Sequence, residues 1–395
     1  MRHTPAPRTG SDRRMTASLM DPFFLRRIRL RNRIAISPMC QYSAADGMAD
    51  DWHAVQYGRF AVGGAGLVVV EATAVAAEGR ITYGDLGLWR EEQVAPLARI
   101  AAFLKAQGAA AGLQIGHAGR KASMQRPWHG NGPLDAADAA RGDLPWEIVA
   151  PSALPIGEGW LMPRALDEAG IGGVRDAFAA AAERAARAGF DVLELHMAHG
   201  YLLHQFLSPL TNRRNDAWGG DAEGRQRLPL DVARAVRAAW PADRPLFARI
   251  SAVDGAEGGL ALEDQIAFAR RLREAGVDVV DCSSGGIGGS ATAAKGPPRT
   301  YGFQLPYAAR IRAEAGVATM AVGLIVDPRQ ADAAVRAGEA DLIAIGREAL
   351  ENPNWAQHAA AVLGGGPDYA GVPPQHGWWL ANRAPVVAKL GPWAA

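Results

Sequence analysis

Cysteine, net charge and long apolar runs are all scarce in this sequence. Its 395 residues contain two cysteines, Cys40 and Cys282, which cannot form a disulfide framework and suit a reducing cytoplasm. A formal net charge of +1 provides no basic field for nucleic acid or for an anionic membrane. Uninterrupted apolar stretches stay well short of the roughly 20 residues of a membrane span. We therefore expect a cytoplasmic protein with no nucleic-acid partner and no membrane partner.

An apolar segment is also missing from the first 20 residues, where a secretory signal would carry one. We expect residues 1–20 to be a disordered or non-native extension, with Met15 and Met20 as alternative starts. The whole sequence nevertheless has ample material for a core, because hydrophobic residues make up 49% of it and charged residues 21%.

Short apolar runs alternate with longer amphipathic segments from residue 33 onwards. The apolar runs predict strands at residues 34–37, 67–75, 111–117, 192–197, 246–251, 277–283, 319–324 and 342–346. The amphipathic segments predict helices at residues 51–62, 92–107, 172–188, 226–240, 262–275, 305–315, 328–337 and 353–363. Eight buried strands that alternate with helices predict a single (β/α)8 TIM barrel over residues 21–365.

A doubly wound parallel sheet is the competing fold. It would normally carry a GxGxxG turn directly after its first strand. This chain continues there with Ser37-Pro38-Met39-Cys40, which contains no glycine. The sequence therefore favours the barrel.

Two segments are longer than ordinary loops. Residues 118–163 follow the third predicted strand and contain three tryptophans, so we expect a functional lid with a small insertion at 135–143. Residues 366–395 form a tail that also contains three tryptophans. Aromatic residues at the end of a chain predict docking, either at the active site or at a subunit interface.

The last two predicted strands end in residues that suit a phosphate group. Barrels commonly bind phosphate in the loops after strands seven and eight. Gly323 and Gly346 would let backbone N–H groups approach closely, and Arg347 would add a forked positive charge. The alternative is that both glycines are ordinary turn residues.

His196 and His199 lie three residues apart where the fourth strand ends. Two imidazoles there could polarise a carbonyl group or bind a metal, and a metal would need further ligands. Glu194 and His204 are close in the sequence. Two alternatives stay open on these residues, a metal-dependent barrel hydrolase and a pair of purely structural histidines.

Two other residues at strand ends gain interest only from their position. Cys40 follows Pro38-Met39 at the end of the first strand and is a site candidate, whereas Cys282 lies inside the sixth strand and is assigned to the core. Tyr201 follows the histidine pair and would otherwise be an ordinary half-buried aromatic.

Taken together, these features resemble the Old Yellow Enzyme family of flavin-dependent ene-reductases, and especially its bacterial cysteine-containing branch. The similarity extends in order over residues 21–365. The segments that carry it are 196–209 with its continuation through 212–220, 37–42, 114–121, and Gly323 with Gly346-Arg347.

The resemblance implies non-covalently bound FMN, no metal, and NADPH or NADH as the hydride donor. The residues expected around the isoalloxazine ring are Pro38, Met39, Cys40, Ala72, Gln114, His196 and Arg249. The residues expected at the phosphate are Gly323, Gly346 and Arg347. Larger relatives append iron–sulfur domains, but this sequence lacks the clustered cysteines that those need, so we expect a stand-alone barrel.

The resemblance also implies a ping-pong reduction of activated C=C bonds, with enones, nitroalkenes or quinones as substrates. His196 and His199 would bind the substrate oxygen, Tyr201 would donate the proton, and Tyr42 would line the substrate side. Cys40 would tune the flavin without forming a covalent intermediate. A non-catalytic flavin-binding protein stays an alternative.

Two segments depart from the family pattern. Residues 221–225 differ at a capping turn away from the flavin. The tail carries His376, Trp378, Trp379 and Arg383 in place of a clear inter-subunit arginine, so whether it reaches its own or a neighbouring active site stays open. A homodimer or homotetramer is expected by resemblance and from the aromatic tail.

Overall fold

The computed structural model describes residues 17–288, 299–364, 369 and 371–392. Its strands are β1 (Phe23–Leu25), β2 (Ile28–Leu30), β3 (Ile34–Ile36), β4 (Leu67–Ala74), β5 (Ala110–Gly116), β6 (Val149–Ala150), β7 (Arg164–Ala165), β8 (Val192–Met197), β9 (Leu246–Ser251), β10 (Val279–Ser283), β11 (Ala318–Ala321) and β12 (Leu342–Ile345). Its helices are α1 (Asp51–Val62), α2 (Val94–Ala106), α3 (Ala136–Ala140), α4 (Glu168–Arg187), α5 (Leu202–Leu207), α6 (Ala222–Ala239), α7 (Leu262–Glu274), α8 (Leu305–Ala315), α9 (Pro328–Arg336), α10 (Arg347–Glu351), α11 (Trp355–Gly364) and α12 (Pro374–Leu390).

Eight of these strands close into a parallel barrel, which confirms the predicted (β/α)8 fold. The order around the barrel is β10, β11, β12, β3, β4, β5, β8 and β9, and β9 pairs with β10 to complete the circle. Parallel neighbours need a crossover, and in this chain the crossovers after most strands contain a helix. Each predicted strand overlaps one observed barrel strand.

Residues on the barrel strands alternate between the interior and the surrounding helices. In β8, Val192 packs inside with Phe247 of β9 and Val279 of β10. Its neighbours Leu193 and Leu195 pack outward against the helices. The period of two therefore turns the side chains of Glu194 and His196 into the barrel, above Val192.

The end of the barrel opposite the candidate site is closed by a hairpin that sequence patterns did not predict. Strands β1 and β2 pair antiparallel, and Leu25 and Leu30 join the lower interior cluster with Leu67 and Val192. Each strand has three residues, which is too short for a readable alternation. The hairpin leaves the carboxyl ends of the barrel strands as the open face.

The folded part of the chain begins earlier than the expected boundary at residue 21. Leu19 is fully buried, and its N–H donates to Asp332 Oδ1 at 2.9 Å. The side chain of Ser18 donates to the same oxygen at 2.8 Å. Residues 17–20 thus pack on α9 rather than forming part of an extension, while residues 1–16 lie outside the described residues.

Several helix starts differ from the prediction because an aspartate caps them. Asp167 accepts from Gly170 N at 2.8 Å and starts α4 before the predicted residue 172, in a segment whose glycines hid the helical pattern. Asp221 likewise accepts from Gly224 N at 2.8 Å and starts α6. The departure from the family pattern at 221–225 is therefore a helix cap.

The lid and the tail both contain regular structure. In the lid, β6 pairs in parallel with β7, and α3 falls inside the insertion predicted at 135–143, where Asp135 caps it. In the tail, α12 is a long helix and Trp393 lies outside the described residues. In the described part of the chain, none of the helices is both long and apolar enough to cross a membrane.

Candidate active site

The carboxyl ends of the barrel strands surround a cavity of about 360 Å³. The predicted residues that line it are Pro38, Met39, His199, Arg249, Gly323, Gly346 and Arg347. A smaller cavity beside it is lined by Ala72, His196 and Tyr201. Cys40 and Tyr42 pack in one cluster with Tyr201. Gln114 lies in the barrel interior next to Glu194, so the fold brings every predicted site residue to the same end.

His196 and His199 form an edge-to-face pair at the junction of the two cavities. Their ring centroids are 5.1 Å apart, and His196 Nε2 lies 3.4 Å from His199 Nδ1. His196 Nδ1 accepts from the N–H of Ala198, so the ring proton of His196 belongs on Nε2. His199 Nε2 lies 2.7 Å from Ser283 Oγ. When Ser283 Oγ donates to His199 Nε2, the ring proton of His199 is on Nδ1 beside His196 Nε2, and in this tautomer the pair presents two ring N–H groups to one small region.

Both imidazoles are held neutral. Burial lowers the pKa of His196 and that of His199 well below the usual value, and the positive charge of Arg249 lowers both further. A neutral imidazole keeps one N–H donor without bringing a full charge into the site. The pair can thus stabilise negative charge on a bound oxygen by hydrogen bonds.

The turn between this pair and Tyr201 has a left-handed backbone at two successive residues. The φ angle is 57° at His199 and 73° at Gly200. A side chain at Gly200 would place its Cβ 2.3 Å from the backbone oxygen of Gly286, so only glycine fits. Lys121 Nζ donates to His199 O at 2.8 Å, and Gln205 Nε2 donates to Gly200 O at 2.7 Å. Buried side chains therefore hold the strained turn.

The same turn is held from below by a buried histidine and an aspartate. Gly200 N–H donates to His204 Nδ1 at 2.8 Å, and His204 Nε2 lies 2.7 Å from Asp254 Oδ1. Ser208 Oγ donates to the other carboxylate oxygen at 2.7 Å. Because Nδ1 accepts, the proton of His204 faces Asp254. His204 is thus a structural residue of this turn rather than a metal ligand.

Tyr201 is the N-cap residue of α5 and faces the histidine pair. Its ring centroid lies 4.8 Å from that of His196 at 86°, and the residue is 8% exposed. Burial raises the pKa of the Tyr201 phenol well above its usual value, and the nearby acidic groups Cys40 and Asp85 act in the same direction. The phenol therefore retains its proton at neutral pH, as a proton donor must.

Cys40 and Tyr42 follow β3, the first strand of the barrel, and line the site. Burial raises the pKa of the Cys40 thiol well above its usual value, and the negative charges of Glu71 and Asp85 raise it further. A neutral thiol is a poor nucleophile. Tyr42 has a left-handed φ of 51°, and its ring meets Trp128 of the lid edge to face at 6.1 Å. The lid thus contacts the site through Tyr42.

The far end of the larger cavity suits a phosphate. Gly323 has a φ of 118°, and a Cβ there would lie 2.7 Å from the Gln304 amide. The left-handed backbone and the close Gln304 amide therefore favour glycine at this position. Arg347 follows Gly346 on the same wall. Arg249 lines the same cavity, so at least two guanidinium groups contribute to its wall.

These residues fit FMN on three counts. The volume lies in the range of small-molecule sites. A glycine-lined end with Arg347 can hold a phosphate, and the polar Gln114 and Arg249 can meet the hydrogen-bonding edge of a planar ring. The donor set is that of an organic cofactor. In the described ranges, no group of three or more His, Cys, Asp or Glu side chains is arranged to hold a metal ion.

Two acidic residues inside the barrel were not assigned to the site from the sequence. Glu194 accepts from Gln114 Nε2 at 2.8 Å, and Asp281 lies 3.2 Å from Arg249 Nε. The sequence pattern indicates Glu194 only as a possible ligand beside the histidines. The sequence feature that could have identified the two acidic residues is a charged residue at an inward position of an otherwise apolar strand. Such a residue is rarely buried without a partner.

The fold and the site together define an oxidoreductase that uses FMN on a TIM barrel. The family model for the NADH:flavin oxidoreductase / NADH oxidase family matches residues 18–364. An NADPH dehydrogenase from Listeria monocytogenes serotype 4a (strain HCC23) is 46% identical over 350 residues, covering 88% of this chain and 96% of the relative. The chain therefore belongs to the NADH:flavin oxidoreductase / NADH oxidase family.

Solved structures agree with the assignment. Morphinone reductase superposes with a TM-score of 0.72 at 27% identity, covering 88% of this chain and 90% of its own. An old yellow enzyme homologue from Zymomonas mobilis gives 0.70 at 25% identity, covering 86% and 91%. The resemblance to the Old Yellow Enzyme family is confirmed, and the chain is an NAD(P)H-dependent FMN oxidoreductase. The metal-hydrolase interpretation is set aside.

Proposed function

We propose that this oxidoreductase reduces the C=C bond of α,β-unsaturated carbonyl and nitro compounds. The observation that carries the proposal is the meeting of three groups at one cavity junction. His196 and His199 offer neutral N–H donors, and Tyr201 offers an un-ionised phenol within 4.8 Å of the His196 ring centroid. Two donors for an oxygen and one proton source are the groups that an activated alkene requires.

His196 and His199 bind the activating oxygen of the substrate in this proposal. The contact between His196 Nε2 and His199 Nδ1 is long, at 3.4 Å, and a substrate oxygen can replace it. As a hydride arrives at the β carbon, negative charge develops on that oxygen. The buried donors stabilise this charge more strongly than water would, because they are already oriented.

Tyr201 supplies the proton for the α carbon. Its O–H bond breaks as the new C–H bond forms, and the phenolate regains a proton from solvent. The lowered acidity of the buried phenol keeps the proton in place until the substrate carbanion is formed. Tyr42 and Trp128 close the substrate side of the cavity.

When bound, FMN would supply the hydride chemistry that links NAD(P)H to the substrate. Gly323, Gly346 and Arg347 would hold its phosphate. The groups proposed around its ring are Pro38, Met39, Cys40, Ala72, Gln114, His196 and Arg249. Cys40 contributes a neutral sulfur that tunes the ring rather than a nucleophile, because its pKa is raised.

A ping-pong sequence follows if donor and acceptor use the same face in turn. The relative from Listeria is an NADPH dehydrogenase, which favours NADPH over NADH as the donor. Quinones are further acceptors in this proposal. The exposed tryptophans of α12 favour a homodimer or homotetramer in which the tail lies at a subunit interface. The low cysteine content favours a cytoplasmic location.

Isotope labelling tests the proposed reaction. The enzyme is given a cyclic enone with NADPH that carries deuterium at the transferred position, and in a second run with unlabelled NADPH in heavy water. We expect the saturated ketone with label at the β carbon in the first run and at the α carbon in the second. Oxidation of NADPH by oxygen without any saturated product would contradict the proposal.

A further inference from the structure

A layer of polar side chains crosses the barrel interior just below the site. Gln114 of β5, Glu194 of β8, Arg249 of β9 and Asp281 of β10 come from four neighbouring strands. Their exposed fractions are 2%, 0%, 7% and 0%. Barrel interiors are usually filled by branched apolar residues at this depth. The layer therefore needs a functional explanation.

The contacts inside the layer separate its two carboxyl groups. Arg249 Nε lies 3.2 Å from Asp281 Oδ2, and Arg249 Nη1 donates to Ser37 Oγ at 2.9 Å. Glu194 Oε1 accepts from Gln114 Nε2 at 2.8 Å. Within the described residues, Glu194 Oε2 and both carboxylate oxygens of Asp281 have no hydrogen-bond partner, so Asp281 is held by its ion pair with Arg249 alone. The guanidinium of Arg249 is therefore the partner of Asp281, whereas the partner of Glu194 is the uncharged amide of Gln114.

The charge balance decides the state of Glu194. Two ionised carboxylates beside one guanidinium would leave a net negative charge in a dry interior, which is costly. Burial raises the pKa of Asp281 as well, but the charge of Arg249, its ion-pair partner, opposes that shift, so we assign the proton to Glu194. Burial raises the pKa of Glu194 to about 8, and the charge of Asp281 raises it further, against the opposing effects of Arg249 and Gln114.

We propose that Glu194 is a positioning residue for the flavin, whose neutral carboxyl group orients Gln114 and keeps a second negative charge out of this layer. The proposal rests on the proposed function, because Gln114 and Arg249 are assigned to the flavin ring there. With Nε2 engaged by Glu194, the oxygen of the Gln114 amide is the atom left to accept a bond from a ligand.

The proposal has an electrochemical consequence. A reduced flavin near neutral pH tends to be anionic, and an ionised Glu194 would oppose that charge. Above the pKa of Glu194, reduction of the flavin therefore draws a solvent proton onto the carboxylate, forming its O–H bond. Below that pKa the carboxyl group is already protonated and takes up nothing. The groups that face Glu194 and set this balance are Asp281, Arg249 and the uncharged Gln114.

The reduction potential of the holoenzyme, measured by dye titration between pH 6 and pH 10, tests this inference. Each proton taken up per two electrons changes the potential by about 30 mV per pH unit. We expect the plot of wild-type reduction potential against pH to steepen above about pH 8, from the slope for one proton per two electrons towards the slope for two. Glu194→Gln keeps an acceptor for Gln114 but cannot titrate. In this variant the potential should keep the slope for one proton per two electrons over the whole pH range.

A matched control is available in a second buried glutamate. Glu71 of β4 is also fully buried, its pKa is also raised to about 8 by burial, and its partner is the Tyr57 hydroxyl rather than a flavin-site amide. Glu71→Gln should retain the wild-type steepening. Loss of the steepening in Glu71→Gln, with retention in Glu194→Gln, would overturn the assignment. Protons of the ring itself titrate alike in all three proteins.

FMN affinity and proton uptake provide two further tests. Glu194→Leu removes the acceptor for Gln114 and should weaken FMN binding roughly tenfold, as expected for one buried hydrogen bond. If substitutions at this position prevent folding, indicator-dye measurement of proton uptake by the wild type during photoreduction replaces them. Equal uptake at pH 7 and pH 9 contradicts the inference. Failure to bind FMN at all would instead contradict the proposed function.

Discussion

The end of β8 and the tail helix α12 are both rich in conspicuous residues, and the structure treats them in opposite ways. At the end of β8, His196, Tyr201 and His204 are buried, and the ring nitrogens of the two histidines have partners in the barrel. In α12, Trp378 and Trp379 are 61% and 69% exposed, and they pack against each other. One segment is fixed by the chain itself, whereas the other presents its apolar surface outward.

The contrast between the end of β8 and α12 indicates that unusual residues mark a site only when buried contacts fix their positions. The strained turn at His199 and Gly200 is stable because Lys121, Gln205 and His204 bind its backbone groups. The buried residue of α12 is Gly377, which lies against Tyr369 and Val372 of the same tail. The first segment can carry chemistry within one chain, whereas the tryptophans of the second would become buried only against a surface beyond their own helix.

Replacing both histidines of the pair should have the largest effect. In His196→Ala with His199→Ala, a bound phenolate loses both hydrogen-bond donors. A hydrogen bond to a charged group is worth about 1.5–3 kcal/mol, so affinity should fall roughly 10²–10⁴-fold. The long-wavelength absorption that phenols induce on stacking with the flavin reports the binding. Unchanged affinity in the double variant would reject the oxygen-binding role.

Breaking the support below the turn should have the next largest effect. His204→Leu removes the acceptor for Gly200 N–H and leaves Asp254 buried without its partner. Asp254 keeps its hydrogen bonds from Ser208 Oγ and Leu260 N, so the loss is that of one hydrogen bond to a buried carboxylate, about 1.5–3 kcal/mol of unfolding free energy, which urea denaturation can measure. His204→Gln, which retains a donor and an acceptor, is the control and should lose less. A Leu variant as stable as the wild type would contradict the account of the turn.

Tyr201→Phe should affect one half-reaction only. Flavin reduction by NAD(P)H needs no proton from Tyr201 and should change little. Alkene reduction should slow by roughly 10²-fold, near the lower end for loss of a general acid, because water partly replaces the phenol. Quinones, which need no proton on carbon, serve as the control. Stopped-flow rates that fall mainly in flavin reduction would remove Tyr201 from the donor role.

Changes in the tail should have the smallest effect on the barrel. Trp378→Ala with Trp379→Ala should alter the unfolding free energy of the dilute protein by no more than about 0.5 kcal/mol. Light scattering should instead show a smaller assembly. Phe24→Ala, at a residue 65% exposed on the β1 strand, is the matched control and should leave the assembly intact. A large loss of barrel stability in the tail variant would mean that α12 belongs to the core.

Sequence patterns predicted the barrel strands well because buried parallel strands are continuous apolar runs. They missed the β1–β2 hairpin and α5, which are too short to show a period, and they placed the start of α4 late at its glycines. The motif residues were assembled as expected. Glu194 and Asp281 were missed because partners 80 residues apart, such as Gln114 and Glu194, become neighbours only when the barrel closes.

The flavin content and its response to NADPH test the central claim most directly. The purified protein should be yellow, release about one FMN per chain, lose its visible absorption on anaerobic addition of NADPH, and regain it when an enone is added. The cavity that ends in Gly323, Gly346 and Arg347 provides the physical reason. A protein that binds FAD, or that binds no flavin even after reconstitution with FMN, would contradict the account.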